Sequence, residues 1–289
     1  MQIRSLGPLG FRLARAYVFP SNTDQDFLAE LLGQLKKRKV CFARLGNTMY
    51  GIHDPHVLGV LRARALERHT FVIDLHAAEN VLIHQMKRTA RNKIRKGDKD
   101  GVRTYEVTDA NDLEEYRRLS KATSDRIRQA GSIMEMPKEF FERIFNKMIE
   151  KGRAKLIIAR HNERLLAGVL CLMHGDSMLA YHAASTRDRD LTAYHGPTAC
   201  FWRAIRTAQQ IGLKWFDFGG CSPHAAKSDS RYGVYFFKSQ WGGNLETFYN
   251  GEIVFSRLGY QLQEALGKNV WAHAHPLYFK IRSTFRSTR

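Results

Sequence analysis

The chain has 289 residues, 44% of them apolar, enough for a sizeable core in one large or two ordinary domains. Its 46 lysines and arginines against 28 acids leave a net charge of +18, which points beyond a solvated basic surface to a polyanionic partner, nucleic acid or an anionic membrane surface. Four cysteines (Cys41, Cys171, Cys200, Cys221) lie far apart with no CxxC pair, which excludes a disulfide framework or a zinc knuckle and suits a reducing compartment.

No apolar run approaches the ~20 residues of a membrane span. The opening "MQIRSLGPLGFRLARAYVFP" lacks an apolar stretch long enough for a secretory signal, so the expected setting is soluble and cytoplasmic. In chain order, "TDQDFLAELLGQLKKRK" predicts a helix capped by Thr23, with Phe27, Leu31 and Leu35 on its core face. "VCFARL" and "TFVIDL" (70–75) read as buried strands. From about 78 to 96 the pattern predicts one amphipathic helix with Ile83, Met86, Ala90 and Ile94 as its apolar stripe, broken by "GDKDGV" before the strand "RTYEV". Helices follow at about 109–130 and 137–151, then three strands, "AKLIIAR", "LLAGVLCLMHG" and "MLAYHAAS". A helix opens near Pro197 with Phe201, Ile205 and Ala208 inward, and "KWFDFGG" is a strand ending in two glycines. "VYFFKSQWG" is a short element, and "ETFYNGEIVF" predicts a hairpin around Asn250-Gly251. The tail from Leu266 has no acid but carries Lys268, Lys280, Arg282, Arg286 and Arg289. Mixed strands and helices with hairpins indicate an α+β, mixed α/β class rather than a doubly wound parallel sheet.

Three stretches carry chemistry. "KRTARNKIRK" (87–96) has six basic residues in ten and no acid, with Arg88, Arg91 and Arg95 on one helical face away from the apolar stripe. Guanidinium forks suit phosphate oxygens, so this is a candidate backbone contact to a nucleic acid. Asp74 ends an apolar strand, where an acid needs a hydrogen-bond partner or a substrate amine. "FFKSQWGGN" (236–244) places Lys238 among aromatics, where a cation is costly to desolvate, ahead of Gly242-Gly243. His53, Asp54 and His56 share one short loop and His273 and His275 alternate near the end without a completing ligand, so no metal is expected. No GxSxG elbow, P-loop or GxGxxG fingerprint occurs, and "DFGG" (217–220) lacks the companion motifs of a kinase. "TAYHGPTA" places Gly196 roughly where an acyl-CoA enzyme has its pyrophosphate loop, without the loop's second glycine or arginine.

In order, "TFVIDL", "MKRTARNKIRKGDKDGV", "ATSDR", "AKLIIARHNERLLAGVLCLMHGDSMLAYHAAS", "YHGPTACFWRAIRTAQQIGLKWFDFGGCSP" and "GVYFFKSQWGGN" resemble the Fem family (FemA-, FemB- and FemX-like) of aminoacyl-tRNA-dependent non-ribosomal peptidyltransferases over about residues 70–250. The resemblance implies two GNAT-like domains. The first would be abbreviated and take in about 1–105 plus the tail 251–289; the second would be 106–250, without a coiled-coil arm. It implies transfer of an amino acid from aminoacyl-tRNA to an amine of a peptide acceptor, a peptidoglycan precursor in cell-wall assembly or a peptide antibiotic. No cofactor is implied beyond the charged tRNA as co-substrate.

Lys238 matches the lysine of the family's "FK" motif, which implies that it stabilises the tetrahedral oxyanion. By motif position, Asp74 would orient the acceptor amine, and Arg126 and Tyr181 would hold its phosphate or peptide. Trp241, Gly242 and Gly243 would line the substrate site, the glycines by close backbone approach. Lys87, Arg88, Arg91, Lys93, Arg95 and Lys96 would bind tRNA. A monomer without stable membrane insertion is expected. Two rival readings share these residues: a GNAT-like N-acyltransferase using acyl-CoA or an acyl carrier protein, and a non-catalytic tRNA- or RNA-binding protein.

Overall fold

The computed structural model describes residues 2–6, 11–16, 24–46, 51–129, 136, 138–229 and 231–261. The expected Thr23 cap, His273, His275 and the basic tail lie outside the described residues. Two compact units divide the chain, one formed by residues up to Arg68 with those from Thr247 on, the other by His69–Glu246. The boundary therefore falls at Arg68/His69 and not near 105. The reason is apolar: Phe71, Ile73 and Leu75 at the end of β4 (Arg64–Asp74), with Leu82, Met86 and Ala90, are buried in the second unit's core.

In the first unit β1 (Gln2–Leu6) and β2 (Phe11–Ala16) pair antiparallel. Helix α1 (Gln25–Lys37) returns the chain so that β3 (Val40–Leu45) lies parallel to β2. Asp24 caps α1 by accepting from Phe27 N at 2.7 Å. Leu28 and Leu35 face the core with Leu58 from α2 (Pro55–Val60), whereas Phe27, expected inward, is 42% exposed. The predicted hairpin at Asn250-Gly251 does not form. Strand β10 (Asn244–Val254) runs straight through it, because Tyr249 bridges Ile52 and Gly251–Val254 pair antiparallel with Phe42–Leu45. A turn signal gave way to a partner edge on which both ladder bonds and the burial of Ile253 were available.

The second unit holds β5 (Arg103–Glu106), β6 (Ala154–His161), β7 (Arg164–His174), β8 (Ser177–Ser185) and β9 (Trp215–Cys221), in the order β4-β9-β8-β7-β6-β5. All these pairs are antiparallel except β8 with β9, which are connected through the short α7 (Arg189–Thr192) and α8 (Gly196–Gln210). One core gathers α8, with Phe201, Ile205 and Ala208 inward as predicted, around Phe216, Phe218 and Trp241. The other packs α5 (Ala110–Gln129) and α6 (Lys138–Ile144), continued by a π-helical turn over Phe145–Ile149, around Tyr116, Phe141 and Ile158. Among the described residues α5 is the longest helix at 20 residues, and no helix is long and apolar enough to cross a membrane.

The single helix expected over 78–96 is two, α3 (Glu79–Gln85) and α4 (Arg88–Lys99). Met86 and Lys87 between them are extended, with ψ of 149° and 148°. Two partners hold the break open: Lys87 N donates to Gln240 O at 2.9 Å, and the Arg91 guanidinium bonds the His84 and Met86 carbonyls that end α3. The apolar stripe survives the break, since Met86 and Ala90 are buried and Ile83 and Ile94 pack on the same core.

Candidate functional site

The site begins with two strands that part. β8 and β9 pair only over Ser177–Leu179 with Trp215–Asp217. Each then carries an extra residue relative to its other neighbour. On β8, Leu170 and Cys171 of β7 face His182 and Ala180, so Tyr181 is bulged. On β9, Thr70 and Val72 of β4 face Gly220 and Asp217, which leaves Phe218-Gly219 opposite Phe71 alone. Gly219 has φ +74, a conformation that favours glycine, and a Cβ there would lie 3.1 Å from Ala180 O. These bulges coincide with the end of the β8–β9 ladder and leave a gap in the pairing of the two strands beyond it.

Lys238 fills the head of this gap. It closes α9 (Tyr232–Lys238), and its Nζ donates to Gly219 O and Gly220 O, each at 2.9 Å. Successive carbonyls of a regular strand point opposite ways, so their convergence on one nitrogen depends on the Gly219 bend. An ammonium has three N–H groups; two are committed and one is left to meet a negative charge. Desolvation lowers the Lys238 pKa to about 8, against the pull of the Asp217 and Cys221 groups, so the cation still predominates at neutral pH.

Asp217 is the residue that sequence reasoning missed. It is fully buried, accepts from Gly219 N at 2.7 Å, and is hydrogen-bonded to the Thr70 hydroxyl, which also lies 2.8 Å from Gly219 O. The signal was present: an acid between two phenylalanines in an apolar strand has to be satisfied by something.

The aromatics and glycines after Lys238 do a different job from the one expected. Trp241 is 2% exposed and packs against Phe201, Phe218 and Phe237 at ring separations of 5.7–6.2 Å, which makes it core rather than substrate-facing. A Cβ on Gly242 would sit 2.6 Å from Gln85 O, and one on Gly243 2.6 Å from Val72 O. Both glycines thus allow close approach of the protein's own backbone at the end of α3 and at β4, where the expectation had been a substrate.

Asp74 stands apart from Lys238. It pairs across from Trp215, at the far end of the β4–β9 ladder from Gly219; from Phe71, opposite Gly219, it is three residues or about 10 Å along β4 at ~3.3 Å per residue. Its carboxylate is 54% exposed and is already engaged by His76, through the main-chain N at 2.9 Å and Nδ1 at 2.6 Å; the main-chain bond first among these contacts holds its pKa below the usual carboxylate value. Arg126 on α5 and Tyr181 on β8 each have partners on the α5–α6 side of the sheet. Arg126 Nη2 donates to Ser185 O at 3.1 Å, and the Tyr181 ring stacks on Phe140 at 6.0 Å. Behind them Tyr116 OH lies 2.7 Å from His182 Nδ1, and burial lowers that imidazole to about 4, so it is neutral and structural.

On α4, Lys87, Arg88, Arg95 and Lys96 are exposed and Arg91 and Lys93 half-buried. One cavity of about 290 Å³ is lined by Arg88, Thr89, Asn92, Lys93, Lys96 and His195 at the start of α8. A second, of about 390 Å³, lies between α3 and α4 and includes His84, Arg88, Arg91 and Arg95. Two members of the basic run have internal partners: Arg91 in the carbonyls noted above, and Lys96 in an ion pair with Asp100. Asp54 of the short His53–His56 loop caps α2 through His56 N at 2.8 Å, and among the described residues no group of histidines, cysteines and carboxylates is placed to hold a metal.

Comparison with known proteins agrees with this architecture. Residues 84–239 match the acetyltransferase (GNAT) domain family. Lipid II:glycine glycyltransferase of Staphylococcus haemolyticus (strain JCSC1435) is 31% identical over 111 residues, a match that takes in 37% of this chain and only 26% of that protein. Among solved structures, FemX superposes with a TM-score of 0.74 at 17% identity over 90% of this chain and 85% of its own. L-PGS from Bacillus licheniformis gives a TM-score of 0.58 at 11% identity over 93% and 84% of the two chains. The chain belongs to the acetyltransferase (GNAT) domain family, and the Fem resemblance read from its sequence extends to its mixed α/β fold.

Proposed function

We propose that this protein moves an amino acid from aminoacyl-tRNA to an amine of a peptide acceptor, a peptidoglycan precursor or a peptide antibiotic. The observation that carries the reading is Lys238, a desolvated ammonium with one uncommitted N–H at the gap between β8 and β9. An aminoacyl ester is already activated, so the site need only position the amine and stabilise the charge that develops. The amine nitrogen attacks the ester carbonyl, whose π electrons move onto oxygen, and that oxyanion meets Lys238. Collapse forms the amide and expels the ribose oxygen, which takes up the proton the amine gives away. The name of the Staphylococcus relative, a glycyl transfer to Lipid II, supports the chemistry.

The basic helix supports the donor. Arg88 stands in the first turn of α4, at the positive end of the helix dipole, with no capping side chain and no acidic residue in that turn. A cation there is unfavourable until an anion arrives, and an acceptor-stem phosphate would supply one. Replacing Arg88, Lys93 and Arg95 together by alanine spares the structural Arg91. We expect tRNA affinity at about 150 mM salt to fall about 10–100-fold and the salt slope to flatten by about 3. Filter binding across a salt series checks this, and an unchanged slope returns α4 to a merely solvated face.

The decisive experiment incubates the protein with pooled charged tRNAs and candidate peptidyl acceptors, with acetyl-CoA in parallel, and reads products by mass spectrometry. Acceptors gaining one amino acid support the reading. Acetylated acceptors from acetyl-CoA alone would favour the second reading, an acyl-CoA N-acyltransferase, which membership of the GNAT family keeps in view. Binding of tRNA without any transfer would leave a non-catalytic RNA-binding protein.

A further inference from the structure

We propose that Asp217 is a positioning residue for Lys238, fixing the ammonium in the strand gap through the Gly219 peptide and through its own charge. That role rests on the reading of Lys238 as the cation that meets the oxyanion. The Gly219 peptide is gripped on both sides. Asp217 Oδ1 accepts from its N–H at 2.7 Å, while the Thr70 hydroxyl, itself bonded to Asp217, lies 2.8 Å from its carbonyl oxygen. That same carbonyl is one of the two that hold Lys238 Nζ. The carboxylate therefore sets the orientation of an atom that sets the orientation of the ammonium.

A buried acid with no other purpose would be a poor choice inside "WFDFGG". An asparagine could accept from Gly219 N equally well. What only the acid adds is negative charge beside a cation that burial is pushing toward neutrality. The titratable groups acting on Lys238 are Asp217 and the Cys221 thiol, both from β9. The Cys221 thiol is itself pushed up by burial and so stays protonated. From β4 the neighbour is the Thr70 hydroxyl, and from β8 the Ala180 carbonyl and the Leu179 side chain around Gly219. Asp217 is thus the one anion close enough to keep Lys238 charged among the described residues.

Asp217→Asn separates charge from hydrogen bonding. We expect kcat to fall about tenfold or more with KM for charged tRNA little changed, and the alkaline limb of the rate profile to move from about 8 toward neutrality. A structural role alone would leave that limb in place. A second measurement needs no substrate: the pH dependence of Lys238 acetylation by acetic anhydride, read by peptide mass spectrometry. Its midpoint should lie near 8 in the wild type and lower in Asp217→Asn. An unmoved midpoint overturns the proposal whatever reaction the protein performs. A lowered midpoint in a protein that transfers nothing from tRNA upholds it and counts only against the proposed function. If Asp217→Asn does not fold, Thr70→Val decides. It retains the charge but removes the one hydroxyl proton that Asp217 and the Gly219 carbonyl share, so kcat should drop several-fold with the alkaline limb unmoved, and wild-type kcat there overturns the proposal.

Discussion

Lys238→Met is expected to lower transfer by about 10²–10³-fold, the usual loss when one oxyanion donor is removed. The fold should survive, because methionine retains the apolar stem and loses only two bonds to main-chain carbonyls. The pH dependence gives the result its specificity. In the wild type kcat should decline as pH rises through about 8, where Lys238 loses its proton, and the residual activity of the variant should lack that decline. Stability carries the opposite sign. The folded pKa is about 8 and the ordinary lysine value 10.5, so between them the unfolded chain binds more protons and the wild type gains stability as pH rises. The methionine variant should show no such gain in thermal melts over that window. Turnover close to wild type would remove Lys238 from the mechanism.

Gly242→Ala is expected to be the most damaging small substitution for stability. Its φ of +79 costs an L-residue about 1–2 kcal/mol, and the added carbon would lie 2.6 Å from a backbone oxygen that cannot swing away. Overpacking of that kind adds about 1–3 kcal/mol, for a total of about 2–5 kcal/mol. Gly220→Ala is the natural comparison: nothing lies within 4 Å of its added carbon, and a change within about 0.5 kcal/mol is expected. Urea unfolding of the two variants side by side measures the difference. Equal midpoints would show that the approach of Gly242 to Gln85 is not tight.

Periodicity and composition carried most of the second unit. The strands of "AKLIIAR" to "MLAYHAAS", the α8 core face and the α4 basic run are local patterns, and local patterns are what one sequence displays. Apart from Phe27, whose helical spacing put it inward and which is exposed, the failures were non-local. Lys87 breaks a helix because Gln240, far along the chain, offers a carbonyl. Asn250-Gly251 does not turn because β3 is waiting beside it. The glycines after Lys238 were read as making room for a substrate, when Gln85 and Val72 occupy that room. Lys238 was legible as a costly cation and its role only through resemblance to a family motif; Asp217 showed as an acid in need of partners, but which partners depends on a peptide two residues on and a hydroxyl from β4.

The β8–β9 gap is a matter of counting. Tyr181 and Gly219 are surplus residues, and the β8–β9 pairing stops where each strand has one more residue than its other neighbour can match. Side chains can therefore vary around the opening without closing it, which leaves the chain free to change what it accepts. Loss of Tyr181, by contrast, would bring β8 back into step with β7, and loss of Gly219 would bring β9 back into step with β4, while every other residue of the candidate machinery remained in the chain.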